Sequence, residues 1–159
     1  IGLYDESLQR GEDLELNNRF RNSGKKILLS PNIKSNYFSR NDLKSFIKQA
    51  FSNGFFITNT FGVKPDYHQL RHFIPFMFVT YLFLTILLFS LDNLLLLKNS
   101  AIGVLIIYFL LMLYHGISST KKAKNIKFLL ISPIVLLSLH LSYGIGSWAG
   151  FFNNLLKKH

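Results

Sequence analysis

The sequence has no cysteine. That excludes disulfides and thiolate metal sites, although it leaves the compartment open. Charge is also sparse, at 16% of 159 residues, and acids nearly vanish from the second half. Seven of the eight (Asp5, Glu6, Glu12, Asp13, Glu15, Asp42 and Asp66) precede residue 70, and only Asp92 follows. Apolar surface is abundant instead: 49% of residues are hydrophobic, 16 of them Phe, and the mean hydropathy is +0.26. This is too apolar for an ordinary water-soluble domain and indicates an integral membrane protein with a polar first part. The net charge of +10 lies beside apolar runs. Anionic headgroups and phosphate-bearing lipids therefore suit it better than nucleic acid.

The chain opens on Ile1, with no methionine and no apolar leader. A polar part of about seventy residues is small for a core of its own. The expectation is the C-terminal portion of a longer protein.

Residues 12 to 23 have helix character. Acids occupy the first turn, Arg19 and Arg21 come late, and Gly24 stands where a terminating glycine belongs. Lys26 to Leu29 and Ile33 to Phe38 read as two short strands parted by the turn Ser30-Pro31-Asn32, which gives an α/β edge. Asn41 then caps a second helix with Leu43, Phe46, Ile47, Ala50 and Phe51 on one face, ending near Asn53-Gly54. Its Phe-rich face and its lysines fit a helix lying in the membrane interface, against the plainer reading of a helix packed on a soluble domain.

Three candidate spans follow, at about 73–91, 101–117 and 128–152. Lys64, His68 and Arg71 precede the first, and Lys121, Lys122, Lys124 and Lys127 fill the second loop. The positive-inside rule thus puts the polar part and the lysine loop in the cytoplasm. Three crossings leave the C-terminus outside, whereas Lys157 and Lys158 fit the inner side, so a broken or re-entrant third segment stays open. Four lysines in a short loop outweigh two at a free end and favour three crossings. His140 and Tyr143 within the third span suit packing between helices better than contact with an acceptor diphosphate. His115 is expected at the interface.

Glu12 and Asp13 form an acidic helix start. Carboxylates there are favoured by the helix macrodipole, so a structural role suffices to explain them. The functional reading makes one of them a general base that takes a proton from a substrate hydroxyl. Spacing does not choose between the two.

Three stretches carry a resemblance: Ile1-Gly-Leu-Tyr-Asp-Glu-Ser-Leu, Gly11-Glu-Asp-Leu-Glu-Leu-Asn-Asn-Arg-Phe-Arg-Asn-Ser-Gly and Ile27-Leu-Leu-Ser-Pro. Together with Arg40-Asn-Asp-Leu-Lys-Ser-Phe-Ile-Lys-Gln-Ala-Phe-Ser-Asn-Gly and His140-Leu-Ser-Tyr-Gly-Ile-Gly, they resemble the end of the catalytic domain and the membrane region of glycosyltransferase family 2. The branch resembled builds bacterial exopolysaccharide of the succinoglycan type and related envelope glycans. The resemblance implies that residues 1–40 are the C-terminal edge of an α/β GT-A catalytic domain. Residues 41–71 would be the amphipathic interfacial helix and linker, and 72–159 an all-α transmembrane domain.

By the same resemblance Asp13 is the catalytic base and Glu12 shapes the acceptor site. Arg40, Lys44, Lys48 and Gln49 become candidates for acceptor or phosphate binding, against the plainer reading of solvated side chains. Arg19 is expected to pair with an acid on its own helix. The implied partners are a nucleotide-sugar donor, a lipid-linked acceptor such as an undecaprenyl-diphosphate sugar, and membrane lipids. The implied location is the bacterial inner membrane. The family's metal motif, Asp-x-Asp, is missing from this sequence. A divalent metal, Mg or Mn, is therefore expected on ligands outside this chain, and this chain alone is expected to be inactive. The processive members' Gln-x-x-Arg-Trp is missing too, which favours one sugar per encounter. The rival reading is a non-catalytic membrane scaffold subunit that docks through its acidic helix. A small transporter is disfavoured, because the spans carry no paired charges and no repeat.

Overall fold

The computed structural model describes residues 1–6, 8, 11–37, 41–60, 70–91 and 94–157. Among the described residues five α-helices carry the fold: α1 (Glu12–Asn22), α2 (Leu43–Asn59), α3 (Ile74–Phe89), α4 (Leu95–Ala123) and α5 (Phe128–Lys157), with a 3₁₀ turn at Leu70–Phe73 leading into α3.

Among the described residues there is no strand, which overturns the expected α/β edge. The described residues of both expected strands lie in exposed chain without regular secondary structure, with Leu28 88%, Leu29 94% and Ile33 81% accessible. The Ser30-Pro31-Asn32 turn does form, closed by Ile33 N–H donating to the Ser30 carbonyl at 3.2 Å. The flanking segments nevertheless form no ladder, and apolar alternation alone does not hold a strand without cross-strand partners. Phe38 lies outside the described residues.

α1 ends as its sequence suggests. Gly24 takes a positive φ of 74°, and the N–H groups of Gly24 and Lys25 return to the carbonyls of Arg21 and Phe20. α2 differs at both ends from its expected form. Its cap is Asp42, whose carboxylate accepts from Ser45 N–H at 2.7 Å, not Asn41. It also runs through Gly54 to Asn59, because Gly54 serves close packing: a Cβ there would overlap the Tyr143 carbonyl of α5.

The α2–α5 pair is the best-packed part of the chain. Gly146 and Gly150 of α5 receive the carbonyls of Phe51 and Phe55 at distances that leave no room for a side chain. Thr58 Oγ1 donates to the Ser147 carbonyl at 2.5 Å, and Asn153 Nδ2 donates to Asn59 Oδ1 at 2.7 Å. Position by position, 51, 55 and 59 meet 146, 150 and 153, so the two helices run in the same direction.

α4 packs antiparallel to α5, with Tyr108 opposite His140 and Gly116 opposite Pro133. Pro133 sits inside α5 without breaking it. Gly116 makes room for the proline ring and for the Leu129 carbonyl, the group that an N–H at position 133 would otherwise bond. α5 is thus continuous, not broken. α3 leans on α5 where Gly144 admits the Pro75 carbonyl and Val79. Phe76 and Trp148 rings lie 5.0 Å apart there, and Trp148 Nε1 donates to Thr80 Oγ1 at 3.1 Å.

Leu70–Phe89, Leu95–Ala123 and Phe128–Lys157 are each long and apolar enough to cross a membrane. Only 6%, 11% and 6% of their most apolar stretches are buried inside the chain. So much uncovered apolar surface is incompatible with water and calls for lipid.

Candidate functional site

The acid pair stands at the rim of a cleft of about 530 Å³ where four helical segments converge. α1 contributes Glu12 and Asp13, α2 contributes Asn53 and Phe56, the 3₁₀ turn His72, and α5 Tyr143. The volume falls within the range of small-ligand clefts.

Local chain chemistry explains the convergence. Gly11 starts α1 with φ 75°, and a Cβ there would come within 2.8 Å of the Phe56 ring, so the helix start rests directly on α2. Asp13 Oδ1 accepts from Leu14 N–H at 2.8 Å, while Glu12 and Asp13 stay exposed on the first turn. On the third turn Arg19 Nε bonds Glu15 Oε1 at 2.8 Å, the expected pairing on its own helix. The same guanidinium also donates to the Ile1 carbonyl, and to the Leu3 carbonyl at 2.6 Å, which fastens the segment before α1 to that helix. Tyr143 reaches the cleft because Gly54 lets α2 settle onto the α5 backbone at that residue.

Past Tyr143, Ser147, Asn153 and Asn154 of α5 face α2.

The structure brings together only part of the residue set expected from sequence. Glu12 and Asp13 share the cleft. Lys44 and Lys48 are exposed and Gln49 half-buried on the first turns of α2, and none of the three lines it. Arg40 lies outside the described residues. Among the described residues no three His, Asp or Glu side chains come together as a group that could hold a metal ion.

Asn53 and His72 escaped the sequence reading, and Tyr143 was weighed there together with His140, with packing favoured. Tyr143 and His140 are three residues apart on α5 yet separate in role. His140 Nδ1 pairs with the Tyr108 hydroxyl at 3.1 Å between helices, as the packing reading expects, and Tyr143 faces the cleft. Asn53 was masked by its neighbour Gly54, which reads as a helix stop. Only the helix-start glycine beside two acids signalled a site at all.

No family model matches the chain, and no solved structure matches it. It is 28% identical over 157 residues to dolichyl N-acetyl-α-D-glucosaminyl phosphate 3-β-D-2,3-diacetamido-2,3-dideoxy-β-D-glucuronosyltransferase of Methanococcus voltae. The match covers 98% of this chain but only 42% of that protein, so the chain spans less than half the length of this relative.

Proposed function

We propose that this chain is the acceptor-side, membrane-embedded part of a glycosyltransferase that moves a sugar from a nucleotide-sugar donor to a lipid-linked acceptor. The observation that carries the reading is the match, along nearly the whole chain, to a glucuronosyltransferase whose name specifies a dolichyl-phosphate-linked sugar as acceptor. The acid-lined cleft supports it, since carboxylates accept hydrogen bonds from sugar hydroxyls. The finer assignment, an inverting enzyme like those of family 2 working on envelope glycans, belongs to the same proposal.

In this reading the acceptor hydroxyl oxygen attacks the anomeric carbon of the donor. The bond from that carbon to the nucleoside diphosphate breaks with its electron pair, and the hydroxyl proton passes to the Asp13 carboxylate. A single displacement inverts the anomeric centre. Glu12, next to Asp13 at the cleft rim, shapes the acceptor side. Lys44 and Lys48 lie outside the cleft and suit headgroup phosphates better than the reacting sugar. A Mg or Mn ion on the donor would have its ligands outside this chain. Holding the enzyme on the surface that carries its acceptor raises the effective concentration of both.

The experiment is transfer by the full-length protein in lipid vesicles, with a panel of labelled nucleotide sugars and polyprenyl-phosphate-linked N-acetylglucosamine. Label in the lipid phase is expected with at least one donor. A protein that neither binds nor consumes any nucleotide sugar would instead be a scaffold.

A further inference from the structure

The cleft holds more than a base, and its lining discriminates between the parts of a lipid-linked sugar. Glu12 and Asp13 place two carboxylates at its rim. An anion brought close to them is repelled, and a phosphate is a poor occupant. A neutral polyol suits it well. Carboxylates accept from sugar hydroxyls, the Asn53 amide both donates and accepts, and the Tyr143 hydroxyl makes no hydrogen bond among the described residues. The Phe56 ring, held under Gly11, offers an apolar platform for the C–H face of a pyranose. Arg71 is exposed on the 3₁₀ turn beside His72.

We infer that the cleft between α1, α2 and α5 is the subsite for the acceptor's sugar ring, with Tyr143 and Asn53 as its binding residues and the acceptor phosphate left outside, on the Arg71 side. The inference rests on the glycosyltransferase reading and adds to it which part of the acceptor enters and what holds it. A phosphate in the cleft with the sugar outside is the opposite arrangement, and the two respond differently to substitution.

The test uses the full-length protein in vesicles. The variants are Tyr143→Phe, Asn53→Ala and Arg71→Ala, and thermal unfolding checks that each is folded. Acceptor KM should rise about tenfold for Tyr143→Phe and for Asn53→Ala, with donor KM and donor hydrolysis within twofold of wild type, since each removes a polar group that faces the acceptor and not the donor.

Saturation-transfer NMR gives a readout that needs no turnover. N-acetylglucosamine should receive saturation from the wild type, lose it with Tyr143→Phe and keep it with Arg71→Ala. Binding of N-acetylglucosamine 1-phosphate should weaken with Arg71→Ala. Unchanged acceptor KM and unchanged saturation transfer in both cleft variants would overturn the inference, as would inorganic phosphate displacing the free sugar. Sugar binding that depends on Tyr143 in a protein that transfers nothing would count against the enzyme reading and leave the subsite standing.

Discussion

Gly146 of α5 lies against the carbonyl of Phe51 of α2, so close that a β-carbon would come within 2.1 Å of the oxygen. Gly150 repeats the arrangement one turn on with Phe55, and Gly54 answers from α2 against Tyr143. Backbone therefore meets backbone along this seam, and the obstruction cannot be relieved by turning a side chain. Gly146→Ala should destabilise the protein by about 1–3 kcal/mol, the usual cost of overpacking. Gly103→Ala on α4 is the control, because nothing lies within 4 Å of its added methyl. It should be neutral or stabilising by up to about 1 kcal/mol. Thermal unfolding in detergent compares the two.

Tyr108 and His140 join α4 to α5 through a 3.1 Å hydrogen bond, beside the Phe78 ring at 4.4 Å from Tyr108. Neither residue lines the acid cleft. Tyr108→Phe should therefore lower stability by about 1 kcal/mol, typical of a hydrogen bond between membrane helices. Transfer rates should stay unchanged. Loss of activity at full stability would give the pair a chemical role.

Lys124 closes α4 in the left-handed region, at φ 51°, where glycine is the comfortable residue. The backbone strain is about 1–2 kcal/mol for a residue with a β-carbon. Lys124→Gly should raise stability by about 1 kcal/mol. The lysine charge next to Lys121, Lys122 and Lys127 would be reduced at the same time, so attraction of this loop to anionic headgroups should become weaker and less sensitive to salt. Vesicle binding at two ionic strengths measures that.

Arg19 spans three acceptors: Glu15 and the carbonyls of Ile1 and Leu3. A lysine presents one point charge where the guanidinium presents a planar fork. Both Arg19→Ala and Arg19→Lys should accelerate hydrogen exchange across residues 1–6 while α1 itself stays protected. Equal protection in the lysine variant would mean that charge, not the fork, holds the segment.

Much of the helical architecture was written in local signals. Acids first, basic residues late and Gly24 last delimited α1, and apolar runs located α3, the middle of α4 and most of α5. The strands failed because Ile27-Leu28-Leu29 and the Ile33 segment carry the local pattern but lack cross-strand partners, and pairing is a property of two segments. Gly54 misled as a helix stop because a glycine that ends a helix and one that admits another backbone look the same in one sequence. In the site, Glu12 and Asp13 were legible from adjacency. Asn53 and His72 were not, and Tyr143 was noticed only beside His140 with packing favoured, since the meeting of these residues depends on how α2 seats on α5, which the spacing of residues does not encode.

The central claim is that Asp13 takes the acceptor's proton, and the most direct test is Asp13→Asn in the full-length protein, read as transfer and as donor binding. The amide keeps the size and the helix start but cannot accept the proton as a carboxylate does. Donor binding should stay within about twofold while transfer falls by about 10²–10⁴, the contribution of a positioned general base. Transfer near the wild-type rate with normal donor binding would contradict the account.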